Sequence, residues 1–312
     1  ITDNEKKSLR GEAYFIRAYI YFALVKRYGG VPIITDLANV DDVPSLFIPR
    51  STEKETWDFV MATCDSAVIF LDGYSGGVRR ASKWAALALK SRAALHAACV
   101  AKYWDQAPLS GEAVNQGLAK MEKSDANRYY ELCINASKEI INNGPYNLYM
   151  ASPASPEEAE KNYAAMFEDP NQALTEVIFL KGFAMPGAGK GTNIDAWANP
   201  LQTAGGWPHP GRFGPSLELA DMYESYSDPG KASPLVTTED GNTGDTYDNG
   251  YESNRRYIKY DSPTDLFADK DARLKATTII PFSNFKNTRI IIQGGYIKPD
   301  GTLIKEQFDK LR

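Results

Sequence analysis

The sequence predicts a mostly α-helical fold, in which helical hairpins stack as an α–α superhelix and lead into an irregular, loop-rich part with short β-strands. Two observations predict it. Between Lys7 and Asn143 lie four long stretches with apolar residues at three- and four-residue spacing, punctuated by glycine and proline. Beyond Tyr146 that period fades, glycine and proline become dense, and the runs with strand character are short.

The first helix is expected over Lys7 to Tyr28, where Leu9, Ala13, Ile16, Ile20 and Leu24 keep helical spacing and Tyr14, Phe15, Tyr19 and Phe22 fill adjoining faces. So much apolar surface asks for neighbours on two sides. Gly29-Gly30 and Pro32 stop it, because glycine accepts a left-handed C-cap and proline cannot continue a helix. The second helix starts at Ser51 or Thr52, where Thr52 and Glu55 have capping-box spacing, and runs through Trp57, Val60, Cys64, Val68 and Leu71 to the glycines at 73, 76 and 77. The third begins behind Ser82 and reaches Tyr103; its many alanines let a neighbouring backbone approach closely. The fourth runs from Asn127 to Asn143 and ends at Gly144-Pro145. The starts of these helices form a weak helix, loop, helix repeat that resembles tetratricopeptide hairpins, although the loops are longer and that repeat's tryptophan-leucine-glycine-tyrosine pattern is absent.

In the second half, Ser152 to Glu160 is rich in proline and acid, Glu176 to Leu180 reads as a short strand, and Pro186 to Pro215 is a long irregular segment. A helix from Ser216 to about Tyr226 follows, then a polar loop from Asp228 to Asn254. A short helix is expected around Asp265 to Leu274, with β-rich runs at Thr277 to Phe282 and Thr288 to Ile297.

Composition narrows the function. The 312 residues carry 35 lysines and arginines against 40 aspartates and glutamates, and a net charge of −5 gives no general attraction for nucleic acid or anionic membranes. Cys64, Cys99 and Cys133 are too few and too scattered for a disulfide framework or a zinc site, and each falls in an apolar helical stretch, as buried free thiols do. No signal peptide precedes the first helix, and the longest alanine and leucine stretch is interrupted by Lys90, Arg92, His96 and Lys102, so it does not span a bilayer.

The run from Gly11 to Pro32 resembles the signature helix and turn of SusD/RagB proteins. Further pieces agree with that family in the same order: the alanine-rich third helix, Ile140 to Leu148, Glu176 to Phe179, and Pro215 to Tyr223. Asp269 to Thr277 is similar to the family's arginine-aspartate-proline-arginine-leucine segment, with Ala272 in place of proline. The resemblance implies a tetratricopeptide-like scaffold over residues 1–150 and a loop-rich ligand-binding part over 151–312. It also implies a non-catalytic protein, lipid-anchored on the outer face of the outer membrane, that delivers glycans or oligopeptides to a SusC-like TonB-dependent transporter barrel. The lipid-bearing cysteine, the helices that precede the signature helix and the family's closing helices are not in this sequence, so the chain is expected to be a piece of a longer protein.

Other chemistries have weaker support. Ala184 to Thr192 nearly spells a phosphate-binding loop, but Ala184 stands where glycine is needed, and the following residues, with Pro200 and Gly205-Gly206, lack a helical period. Only two histidines exist, His96 in the alanine-rich helix and His209 in the Trp-Pro-His-Pro loop, so no His-x-x-x-His metal pair occurs, no residues single out a histidine-based triad, and His96 reads as structural. Glu157-Glu158 and the Asp240 to Asp248 stretch offer carboxylates, but neither a facing pair nor an EF-hand spacing, and no cofactor is implied. A tetratricopeptide-like adaptor for protein assembly is the alternative reading.

The aromatic loop is the best candidate site. Trp197, Asn199, Trp207 and His209 sit among glycines and prolines rather than on an apolar helical face. Indole faces pack on sugar rings while amide and imidazole groups bond hydroxyls. The competing reading is that the rings plug the loop against the core. Tyr247 and Tyr251 are weaker candidates, and Trp57, Trp84 and Trp104 are expected to be scaffold.

Overall fold

The computed structural model describes residues 1–37, 39, 41–106, 109–169, 171, 174–181, 197–205, 210–241 and 256–306. It divides into two compact units, one of Ile1–Leu148 with Leu174–Gly182, the other of Tyr149–Ala173 with Phe183–Arg312. The described residues are mostly helical, with only two short β-hairpins.

In the first unit, α1 (Asp3–Tyr28), α2 (Glu53–Phe70), α3 (Lys83–Tyr103) and α5 (Ala126–Asn143) pack in sequence order, with a single turn, α4 (Glu112–Asn115), in the connection before α5. Local chemistry sets the starts. Thr2 and Thr52 each form a full capping box with the glutamate three residues on, and the Ser82 hydroxyl accepts the Ala85 N–H at 3.1 Å. The first box places the start of α1 at Asp3, four residues ahead of the expected Lys7. In α3 the alanines at 85, 86, 93, 94, 97, 98 and 101 are all buried, so α2 and α5 both approach its backbone closely. Trp57, Val60, Cys64, Leu71, Met121 and Tyr129 complete the core.

The buried face of α1 differs from the expected one. Phe15, Ala18, Phe22 and Val25 are buried, whereas Leu9, Ile16, Tyr19 and Ile20 are about half exposed. The aromatic and small residues fit against α2, where Phe22 meets Trp57 at 6.0 Å and Tyr21 meets Phe59 at 4.8 Å. The aliphatic stripe lies on the opposite side, and it is this stripe that made the helix read as two-sided.

The turn after α1 is a three-way backbone crossing. The Gly30 N–H donates to Leu118 O at 2.6 Å, Ser51 N–H to Val31 O at 3.2 Å, and Glu53 N–H to Gly117 O at 2.9 Å. A Cβ on Gly30 would stand 1.9 Å from the Ser51 carbonyl oxygen. Gly29 has φ +68° but ψ −135°, so it is a glycine-specific turn without being a left-handed cap. Arg50 donates to the carbonyls of Tyr28 and Gly30, satisfying acceptors left open at the end of α1. Across α2 and α5, Asp58 accepts from Arg128 at 2.7 Å and from the Tyr129 hydroxyl at 2.8 Å, while Lys54 pairs with Asp125.

Residues 176–180, expected as a strand, form no strand. Among the described residues they pair with no strand; Leu180 N–H bonds Val78 O at 2.7 Å, and Ile178 and Phe179 lean on the helical core, Phe179 meeting Phe15 edge-on at 5.3 Å. All three cysteines are free; Cys64 is buried, and burial pushes its thiol up to about 12, whereas Cys99 and Cys133 are half-buried.

The second unit has a smaller core, centred on Ala220, Leu235 and Leu274. Helix α6 (Pro156–Glu168) rises from the stretch read as merely proline and acid rich: Ser155 caps it, Pro156 takes the first position where no N–H is needed, and Glu157 and Glu158 sit in the first turn. It packs against α8 (Ala272–Thr277). Helix α7 (Leu217–Met222) is shorter than expected. The helix expected over 265–274 is a 3-10 turn, Asp265–Phe267, followed by α8, because Asp271 acts as a cap whose side chain accepts the Arg273 N–H at 2.8 Å. Ala272, standing where the family segment has proline, is the first residue of α8, a position that suits proline. The strands are β1 (Asn284–Phe285) with β2 (Thr288–Arg289), and β3 (Gly295–Ile297) with β4 (Leu303–Lys305). Lys286 and Asn287 both have positive φ, the two-residue turn that matches strand twist. The expected run at 277–282 is the end of α8 and a turn, and the run at 288–297 is divided between the two hairpins.

Candidate functional site

Two features of the second unit present aromatic and polar groups together. The first is the loop that opens at Trp197. Arg212 N–H donates to Trp197 O at 2.8 Å and Gly211 N–H to Asn199 O at 2.9 Å, closing the loop on itself. Gly211 has φ +63°, a conformation that favours glycine. The half-buried indole of Trp197 lies 5.7 Å from the ring of Phe213, which is 55% exposed, and the Arg212 guanidinium stands 5.9 Å from the indole centroid. An aromatic pair edged by a cation is thus held at the surface by main-chain hydrogen bonds.

Asn199 is buried, and its side-chain oxygen accepts from Lys286 Nζ at 3.4 Å. Gln202 is buried as well, and its Oε1 accepts the Ile291 N–H at 3.2 Å. As placed, both amides brace the loop against the segment that carries β1 and β2. Trp207 and His209 lie outside the described residues, as do Tyr247, Tyr251 and the stretch 184–192. His96 packs its ring against Trp57 at 5.5 Å and Phe22 at 6.0 Å, and burial with the nearby Lys26 lowers its pKa. Among the described residues no cluster of histidine, cysteine, aspartate or glutamate is placed to hold a metal ion.

The second feature is a cavity of about 570 Å³, the size of a small-ligand site. Tyr257, Tyr260 and Tyr296 give it aromatic wall, and Gln293, Arg256 and Glu239 are among its polar lining. The Tyr296 ring is fixed by cross-strand pairing with Ile304 and by an edge contact with Phe282 at 6.1 Å. Burial, together with Asp265, raises the pKa of Tyr260. Sequence reasoning missed this cavity. Tyr257 and Tyr260 lie close in sequence, and Tyr296 joins them through a hairpin that periodicity does not reveal.

Residues 1–95 match the family of SusD-like proteins described as starch-binding and associating with the outer membrane. Over that stretch the chain is similar to SusD-like proteins. Solved structures share the fold: a SusD-like protein of Bacteroides fragilis is 23% identical with a TM-score of 0.63, covering 94% of this chain and 48% of its own. A SusD-like carbohydrate-binding protein of the same organism is 19% identical with a TM-score of 0.57, covering 95% of this chain and 45% of its own. A third, crystallised with a xylogluco-oligosaccharide, is 19% identical with a TM-score of 0.51 and covers 72% of this chain and 39% of its own. The chain therefore spans about half the length, or less, of these structures. No curated protein matches it.

Proposed function

We propose that this chain is the glycan-capturing part of a non-catalytic, cell-surface binding protein that hands its ligand to a TonB-dependent barrel in the outer membrane. The observation that carries the reading is the SusD-like helical scaffold joined in one chain to a loop whose Trp197, Phe213 and Arg212 are presented at the surface. Residues 1–150 serve as scaffold and 151–312 bind ligand. A sugar ring stacks on the indole, and the guanidinium donates to its hydroxyls. Trp197, Trp207 and His209 are the proposed contacts, with Asn199 positioning the loop. A relative crystallised with a xylogluco-oligosaccharide, and another described as carbohydrate-binding, favour a glycan over a peptide as ligand.

Delivery to a barrel is tested by purifying the native protein from detergent-solubilised outer membranes and identifying what remains bound. A TonB-dependent barrel in stoichiometric yield is the expected result. A preparation free of any barrel, from membranes in which the barrel is intact, contradicts it.

A further inference from the structure

The 570 Å³ cavity has a chemistry of its own. Two cations, Arg256 and Lys259, and one carboxylate, Glu239, line it. Arg256 reaches Glu239 at 3.7 Å with both side chains largely in water, a weak pair, while Lys259 has no ion-pair partner among the described residues. Among the described residues the lining therefore keeps one positive charge beyond its carboxylate. A second observation is independent of charge. The Gln293 side-chain nitrogen is fully buried and donates to nothing, although its oxygen accepts the Ile292 N–H at 3.3 Å. A buried amide donor left without an acceptor keeps an unrecovered desolvation cost, which a bound acceptor removes. Around these groups the tyrosine walls and Pro263 offer apolar faces of the kind a pyranose ring covers.

We propose that this cavity is a second sugar subsite and that it selects a ring bearing a carboxylate, a uronic acid. The ring lies against the tyrosines, its carboxylate is held by Lys259 and Arg256, and a ring or hydroxyl oxygen accepts from Gln293 Nε2. Glu239 accepts from hydroxyls, as carboxylates in polar sugar sites do. The inference rests on the glycan-binding reading and gives it a substrate class.

The test compares trigalacturonate with its fully methyl-esterified form, which keeps the shape and removes the charge. Titration calorimetry is expected to give at least about fivefold tighter binding of the acid, with the difference shrinking as salt is raised. Lys259→Gln and Arg256→Gln replace exposed side chains, so the fold is kept, and each is expected to erase most of that preference while leaving the ester unchanged. Gln293→Leu is expected to leave thermal stability equal or higher while weakening both ligands, an outcome a purely structural role does not give. Equal affinity for acid and ester, or a preference that survives both cation variants, overturns the proposal. If neutral glycans still bind in a Trp197-dependent way, the broader reading stands without it; if neither neutral nor acidic glycans bind, both fall.

Discussion

The side-chain oxygen of Gln202 accepts the backbone N–H of Ile291 at 3.2 Å, tying the loop that carries Trp197 to the chain segment that reaches the tyrosine-walled cavity two residues later, at Gln293. Among the described residues of the tryptophan loop the longest regular element is a 3-10 turn, Leu201–Thr203, so its geometry depends on such bonds. Replacing Gln202 by methionine keeps the volume and removes the acceptor. Hydrogen exchange at Ile291 and through 197–205 is expected to accelerate by an amount equivalent to about 1–3 kcal/mol, with α1 to α3 unaffected.

Gly30 is the point where three backbone segments cross, and the Ser51 carbonyl oxygen occupies the place of any added Cβ. Gly30→Ala is expected to destabilise by about 3 kcal/mol or more, because backbone cannot move aside as a side chain can. Gly214→Ala is the control: nothing lies within 4 Å of its would-be Cβ, and a change within about 0.5 kcal/mol is expected. Urea denaturation of the two variants checks both.

Burial holds the Glu53 carboxyl above its ordinary range, although Trp57 Nε1–H donates to it at 3.3 Å. A carboxyl whose folded pKa is raised takes up a proton on folding. It costs stability at pH above the folded value, and the cost fades as pH falls towards the unfolded value near 4.5. Glu53→Gln keeps an acceptor for Trp57 and removes the charge. The denaturation midpoint is expected to rise at pH 7 and to match the parent at pH 4.

The helical half of the fold is written in local signals. Thr52 with Glu55, Ser82, and Gly144-Pro145 mark helix ends with side chains that act within a few residues, and the structure has ends at those places. Which face of α1 turns inward was not legible, because Leu9, Ile16 and Ile20 are as apolar as Phe15, Phe22 and Val25; only the fit against α2 separates the stripes. Ser155-Pro156-Glu157-Glu158 carries a helix start as plain as that at Thr52, its proline standing at the first helical position and so opening the helix instead of breaking it. The second unit's loops are set by contacts distant in sequence, such as Asn199 with Lys286 and Gln202 with Ile291. No local period encodes those contacts. The tryptophans were visible as a composition anomaly, whereas the tyrosine cavity exists only once the hairpin of β3 and β4 brings Tyr296 beside Tyr257 and Tyr260.

The central claim is that the protein holds glycans, and affinity electrophoresis tests it most directly. Native gels cast with starch, xyloglucan or polygalacturonate are compared with a plain gel, for the parent and for Trp197→Ala. At least one polysaccharide is expected to retard the parent, with Trp197→Ala weakening that retention by about 1–3 kcal/mol, the scale of losing one stacked aromatic anchor. A parent protein that migrates unretarded through all three polysaccharides contradicts the account.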